Sequence, residues 1–174
     1  MYIGLGRMER KVKIKKISLI SLFIALSVAG ASIKIPAIVS SVALDMVPAL
    51  LAGVIFGGGP GAIIAFLGHL LSALIGGMPL GLFHFLIAFE MSLLVWMFAL
   101  VYRKGQRMVA SILFIVGNAF VSPLPFLFLM GSGFYIGLLP SLLIGSVLNT
   151  VLALILAPRL VPFFSGYFQK EMVK

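Results

Sequence analysis

Four ionisable side chains inside an apolar stretch are the residues best able to do chemistry. Asp45, His69, His84 and Glu90 lie in a segment made almost entirely of apolar residues and glycine, and they include both histidines and two of the four acids of the chain. An ionisable group in hydrocarbon costs at least about 2.5–3.5 kcal/mol, so such residues usually face a protein interior and mark a functional site. The segment therefore predicts a polar pocket within a membrane protein.

Two kinds of chemistry are open to these side chains, namely ligand binding and acid–base or metal catalysis. A histidine paired with a carboxylate can hold Zn²⁺ or transfer protons. However, His69 and His84 fall on different predicted helices, and no HExxH spacing is present. We expect no catalytic residue, no metal and no cofactor. An intramembrane enzyme that uses His69, His84 and Glu90 is the alternative, whereas a pore is disfavoured because no predicted helix carries a continuous polar stripe.

The composition indicates an integral membrane protein. Of 174 residues, 62% are hydrophobic and 10% are charged, against about 25% charged in a typical soluble domain. The mean hydropathy is +1.25. Cysteine is absent, which excludes disulfides and thiolate chemistry. The length suits one transmembrane domain that spans residues 1–174 and leaves no room for a second globular domain.

Apolar runs separated by glycine and proline predict an all-α integral membrane bundle of six transmembrane helices. A helix needs about 20 apolar residues to cross the hydrocarbon core. We expect a basic cytoplasmic tail over 1–16, the bundle over 17–160 and an interfacial tail over 161–174. Pro123 and Pro125 should interrupt helix five, and an exposed connection should join helices one and two. The predicted helices are Ile17–Lys34, Val42–Phe56, Pro60–Ile75, Leu80–Tyr102, Met108–Met130 and a sixth from near Phe134 to about Arg159.

The placement of basic residues predicts the orientation of the bundle. Six spans put both termini on the same side of the membrane. With that side cytoplasmic, twelve of the thirteen Lys and Arg residues lie inside and only Lys34 lies outside. Cytoplasmic segments carry such an excess of Lys and Arg. The pattern therefore predicts cytoplasmic N- and C-termini and a pocket that opens to the outside.

Eight polar residues are predicted to bind a substrate in that pocket. Several of them have structural alternatives. An asparagine in a bundle can join two helices, and a histidine can bond a neighbouring carbonyl group. Asp45 can cap a helix or pair with Lys34, while Glu90 needs a partner such as His69 or must be protonated. Phenylalanines of helices four to six can stack on a flat ligand or simply pack together. The predicted substrate-binding residues are Lys34, Asp45, His69, His84, Glu90, Asn118, Tyr135 and Asn149.

Two segments carry a family resemblance. ISLISLFIALSVAGASIKIP, with its Ala25-x-x-x-Ala29 spacing, and LDMVPALLAGVIFGGGPGAIIAFLGHLLSALIGG resemble the substrate-binding S components of energy-coupling factor (ECF) vitamin transporters. The resemblance implies a subunit that captures its substrate outside a bacterial or archaeal cell membrane. It also implies partners, namely a transmembrane coupling subunit driven by two ATPases, which would dock on Ala25 and Ala29. The lack of a nucleotide-binding motif agrees with energy supplied by partners.

The substrate class follows from the same resemblance. The LDMVPA and GHLLSALIGGMPLG segments are similar to S components assigned to α-ribazole, a precursor of the lower ligand of cobalamin. Carboxylate, imidazole and aromatic groups suit a neutral molecule with hydroxyl groups and a flat base. The same groups suit riboflavin or a pyrimidine-type vitamin, which are the alternatives.

Overall fold

Helices dominate the computed structural model, which describes the backbone of residues 2–36 and 41–173 and the side chains of 13–33 and 43–167. A π-helical turn at Gly117–Val121 joins α5 to α6. The only strands in the described ranges form a short antiparallel hairpin, in which Ile35 pairs with Val42. The elements are α1 Tyr2–Ser32, β1 Lys34–Pro36, β2 Ser41–Ala43, α2 Met46–Phe56, α3 Gly58–Ile75, α4 Phe83–Arg103, α5 Arg107–Val116, α6 Leu124–Met130 and α7 Ser132–Val173.

Five segments are long and apolar enough to cross a membrane. They are Lys13–Ser32, Gly58–Ile75, Phe83–Arg103, Arg107–Met130 and Ser132–Tyr167. Helix α2 is apolar but has only 11 residues. At 1.5 Å per residue it covers about 16 Å of a hydrocarbon core that is about 30 Å thick. A multi-pass membrane protein is therefore confirmed, while the number of six spans stays a prediction.

The short helix α2 lies at the centre of the bundle. Nine of its eleven residues, Met46 to Val54, are buried, and it packs against α1, α3, α4 and α7. Its approach to α3 depends on two glycines, because a Cβ at Gly61 would lie 2.6 Å from the Cα of Gly53. Small residues permit such close helix packing in membranes. Protein rather than lipid therefore surrounds α2, which explains why a helix too short to span is stable there.

Two predicted helix boundaries are wrong. Helix α1 begins at Tyr2, so the predicted basic tail is part of the first helix. Helix α7 continues through Pro158 to Val173 instead of ending near Arg159. A proline removes one backbone hydrogen bond, but ending the helix would leave several groups without partners. The predicted connection between the first two helices contains the hairpin, and its residues 37–40 lie outside the described part of the chain.

The predicted interruption of helix five is confirmed, and its form is a π-helical turn. The N–H of Ser122 bonds the carbonyl of Gly117 at 2.8 Å, five residues earlier. Pro123 and Pro125 lie at the following turn and offer no N–H to the preceding carbonyls. The widened turn places Asn118 between α4 and α7, because the π segment contacts both helices.

The described basic side chains of three elements lie at one end of the bundle. Lys15 at the start of α1 has its Nζ 5.6 Å from the ring centroid of Tyr167 at the end of α7. Arg103 and Arg107, on either side of the α4–α5 turn, share a cleft with Val161 of α7. The predicted orientation requires the basic residues to lie together at one end of the bundle, and the described ones do. The orientation itself remains a prediction.

Candidate substrate site

A cavity of about 200 Å³ lies where the start of α2 meets α3, α4, the π-helical turn and α7. It brings together Asp45, His69, Asn118 and Asn149, which are four of the eight residues predicted to bind a substrate. Apolar side chains form most of the remaining wall, as in other small-molecule sites. The lining residues are Ala43, Asp45, Met46, His69, Ile87, Met91, Asn118, Leu138, Ser141, Leu142, Gly145 and Asn149.

Asn149 of α7 caps α2 across the bundle. Its Oδ1 accepts hydrogen bonds from the backbone N–H groups of Met46 at 3.1 Å and Val47 at 3.0 Å. Its Nδ2 donates to the carbonyls of Ala43 and Gly145, each at 2.9 Å. These four bonds use the two donors and both lone pairs of the amide. Asn149 therefore fixes the floor of the cavity, and its side chain has no hydrogen-bonding capacity left for a ligand.

Asp45 does not cap α2 with its side chain, although it occupies the capping position. Its backbone carbonyl accepts a hydrogen bond from the Ser27 hydroxyl of α1 at 2.7 Å. Gly68 of α3 admits Ser27 to this junction, since a Cβ there would lie 2.6 Å from the Ser27 Cβ. Burial raises the pKa of the Asp45 carboxyl to about 6. With capping done by Asn149, Asp45 takes its place in the cavity wall.

Two histidines form a pair that fixes their tautomers. The N–H of Leu80 donates to His84 Nε2 at 3.4 Å, so His84 carries its hydrogen on Nδ1. His84 Nδ1 lies 3.2 Å from His69 Nε2, which must then accept. His69 consequently carries its own hydrogen on Nδ1. This N–H is the remaining donor of His69, the histidine that lines the cavity.

The Asn118 side chain is also held in one orientation. Its Nδ2 donates to the Ser146 hydroxyl at 2.8 Å, and that hydroxyl donates to the carbonyl of Leu142. Because the Ser146 hydrogen is committed, the hydroxyl can only accept from Asn118. The amide oxygen of Asn118 is therefore the group that can accept a hydrogen bond from a bound molecule.

Ser141 is a site residue that the sequence prediction missed. It lines the cavity from α7, and its buried hydroxyl has no hydrogen-bond partner among the described residues. An unpaired buried hydroxyl costs about 1–3 kcal/mol, so a ligand group that bonds Ser141 would remove that cost. A small polar residue on an apolar helix face was the available signal, but Ser146 carries the same signal and bonds its own helix.

Four predicted site residues are not among those that line the cavity. His84 contacts His69 but does not line the cavity itself. The Tyr135 hydroxyl donates to the carbonyl of Phe120 at 3.1 Å. Glu90 does not pair with His69, which contacts His84, and the Glu90 Oε2 is buried with no hydrogen-bond partner among the described residues. Lys34 lies outside the range in which side chains are described.

Three of the phenylalanines predicted to stack on a ligand pack on one another. Phe126 contacts Phe83 with ring centroids 5.8 Å apart and Phe134 with centroids 6.0 Å apart. The cavity wall contains no phenylalanine, tyrosine or tryptophan, so His69 supplies its single ring. A flat ligand would lie against the methionine and leucine side chains of the wall.

The described side chains contain no group of three His, Cys, Asp or Glu residues that could hold a metal ion. A family model for the ECF transporter, substrate-specific component, matches residues 15–174. The chain belongs to this family. It is therefore a substrate-capture subunit of an ECF importer, and the family is one of transporter components and not of enzymes. A search of curated proteins and a search of solved structures found no match.

Membership of the ECF family implies a small-molecule substrate, a coupling subunit and ATPases. An apolar groove of about 400 Å³ lies between α1, α2 and α7, and it contains one of the two residues predicted to dock the coupling subunit. Ala29 lines this groove and Ala25 is exposed on the same helix, so the two predicted docking residues are both accessible. Small residues on an exposed helix face allow another helix to approach closely.

Proposed function

We propose that this ECF S component captures α-ribazole, or a related small vitamin precursor, in the cavity bounded by α2, α3, α4 and α7. The observation that carries the proposal is the unpartnered Ser141 hydroxyl in a cavity that also holds Asp45, His69 and Asn118. Buried polar groups in proteins are nearly always satisfied. A ligand with several hydroxyl groups satisfies these four side chains, which a purely apolar ligand cannot do.

The fixed orientations give the cavity a defined hydrogen-bonding pattern. His69 offers an N–H donor, the Asn118 oxygen and the Asp45 carboxyl offer acceptors, and Ser141 offers both. A ribose carries hydroxyl groups that donate and accept in turn, and an unprotonated base nitrogen accepts from an imidazole N–H. Because most of the wall is apolar, a neutral ring system can occupy the rest of the space.

The size of the cavity bears on the choice of substrate. Its volume of about 200 Å³ lies below the roughly 300–1,000 Å³ of pockets for drug-sized ligands. This supports the smaller candidates, a pyrimidine-type vitamin or α-ribazole, over riboflavin with its three fused rings. Between the smaller two, the resemblance of the segments around Asp45 and His69 favours α-ribazole.

The proposed cycle places the protein in the cytoplasmic membrane with six spans and both termini inside. The gathering of described basic side chains at one end of the bundle supports this orientation. The substrate then enters from the opposite end. The coupling subunit, driven by two ATPases, binds the groove that contains Ala29 and brings about release on the inside.

Direct identification of the bound molecule tests this proposal. The full chain is purified in detergent, and small molecules that co-purify are identified by mass spectrometry. We then titrate the purified chain calorimetrically with α-ribazole, riboflavin and a pyrimidine-type vitamin. We expect α-ribazole to bind with one-to-one stoichiometry and more tightly than the other two. Tighter binding of riboflavin would contradict the assignment.

Removal of the unpartnered hydroxyl should weaken binding. Ser141→Ala deletes the group that the cavity leaves unsatisfied, and we expect the Kd to rise about tenfold, the value of one net hydrogen bond. Calorimetric titration measures the change. Thr150→Val is the matched control, because Thr150 is also a buried, unpartnered hydroxyl of α7 but does not line the cavity. An equal loss in both variants would place Ser141 outside the binding site.

His84 should act on the substrate through His69. In His84→Ala the His69 Nε2 loses its donor, so the hydrogen distributes over both ring nitrogens and the Kd rises about fivefold to tenfold. The ¹⁵N chemical shifts of labelled His69 report the change of tautomer directly. His84→Asn should restore both readouts, because the asparagine Nδ2 can replace the His84 Nδ1 donor. Unchanged His69 shifts in His84→Ala would refute this positioning role.

A further inference from the structure

A second cavity, of about 570 Å³, opens at the basic end of the bundle. It lies between the end of α2, the α4–α5 turn and residues 157–165 of α7. Val161, Pro162 and Ala157 give it an apolar wall along α7, while Arg103 and Arg107 line it at the turn. The cavity is separate from the candidate substrate site, because the two share no lining residue.

The structure holds both guanidinium groups at this cleft. Arg103 Nη1 donates to the carbonyl of Val54 at 3.0 Å, near the end of α2. Arg107 lies over the ring of Tyr102, with its Cζ 5.5 Å from the ring centroid. One bond occupies only part of the Arg103 donor set, and a cation–π contact leaves the N–H edges of Arg107 free. The two arginines therefore present N–H donors to the same cleft.

Among the described side chains, no carboxylate lines the cleft beside these charges. The lining contains no acidic residue, and among the described side chains the acids are Asp45 and Glu90. Asp45 lies in the substrate cavity, and Glu90 precedes Arg103 on α4 by 13 residues, which is about 20 Å along a helix. No described carboxylate therefore competes with an external anion for the two guanidinium groups.

We propose that this cleft binds the phosphate group of an anionic phospholipid. The two arginines contact the phosphate, and an acyl chain runs along the apolar wall of α7. A position at one end of membrane-spanning helices is the depth at which lipid headgroups lie. Arginine forks suit phosphate oxygens, and the apolar wall distinguishes a lipid from a free phosphate ester.

Native mass spectrometry of the full chain in detergent tests the proposal. The probes are phosphatidylglycerol, phosphatidylcholine with the same acyl chains, and soluble glycerol phosphate. We expect one phosphatidylglycerol to bind about tenfold more tightly than phosphatidylcholine, and soluble glycerol phosphate to compete weakly. Equal binding of the two lipids would overturn the site. Competition by glycerol phosphate as strong as that of the lipid would assign the site to a free phosphate ester instead.

Charge-matched variants distinguish a site from general attraction. Arg103→Gln/Arg107→Gln should reduce phosphatidylglycerol binding about tenfold, whereas Lys104→Gln/Arg159→Gln, which removes the same charge outside the cleft, should change it less than about twofold. An equal loss in both double variants would refute the site. Ser165→Trp keeps both arginines but fills the cleft, so it should also abolish the preference for phosphatidylglycerol. If the Ser165→Trp variant still preferred phosphatidylglycerol, the lipid would not bind in this cleft.

Discussion

Asn149→Ala should cost the protein at least about 3 kcal/mol of stability, because it leaves two buried N–H groups without their acceptor and removes one hydrogen bond from each of two carbonyls. The N–H groups belong to the first turn of α2, and α2 forms the centre of the bundle. Thermal unfolding of the purified chain in detergent should show a large fall in Tm. Substrate binding should be lost with it, because the start of α2 forms one wall of the cavity.

Two variants make this prediction specific. Asn149→Asp keeps the acceptor for Met46 and Val47 but removes the donors to Ala43 and Gly145, so its loss should be intermediate. Thr150→Val removes a buried hydroxyl that has no partner, and it should leave the Tm unchanged or raise it. If Asn149→Ala were as stable as Thr150→Val, the cap would not hold α2.

Ala29→Trp should abolish transport and leave substrate binding intact. Ala29 lines the groove between α1, α2 and α7, where an indole ring would occupy the space that an approaching helix needs. Uptake by cells that express the whole importer should fall to background. Co-purification of the variant with the coupling subunit should fail, while calorimetric titration of the isolated variant gives an unchanged Kd. The same outcome is expected for Ala25→Trp.

A bulky residue on another exposed face is the matched control. Ile112→Trp places the same ring on α5, at a side chain that is 57% exposed and lies outside the groove. It should support normal transport. If both tryptophan variants lost transport, the cause would be a general effect of bulk on membrane insertion. If Ala29→Trp lost substrate binding, the α1 face would be structural and would not be a docking surface.

The helices were predictable because their signals are local. Apolar runs between glycine and proline turns fixed α3 and α4 to within a few residues, and Pro123 and Pro125 marked the break between α5 and α6. The ends of α1 and α7 were not predictable in this way. The polar residues before Ile17 and the proline at position 158 predicted that the helices begin or end there. In the structure the backbone hydrogen bonds of both helices continue past these positions.

Four of the residues that line the candidate cavity were predicted from the sequence, but the contacts that each of them makes were not. Asp45 carries the local signature of a helix cap, yet Asn149, more than 100 residues away, performs the capping. His69 pairs with His84 and not with Glu90. The relative rotation of α3 and α4 decides this choice of partner. Ser141 looks like any other helical serine until the neighbouring helices are in place. Long-range contacts assign these roles, and spacing along the chain does not reveal them.

Residues 43–48 separate the candidate substrate cavity from the groove between α1, α2 and α7, and they contribute to the walls of both. Ala43, Asp45 and Met46 line the cavity, while Leu44, Val47 and Pro48 line the groove. A molecule that shifts this segment from one side changes the surface that it offers on the other. Thermodynamic linkage makes the effect reciprocal, so if substrate tightens docking by some factor, docking tightens substrate binding by the same factor. Residues 43–48 can thus transmit the effect of bound substrate to a partner in the groove that does not contact the substrate.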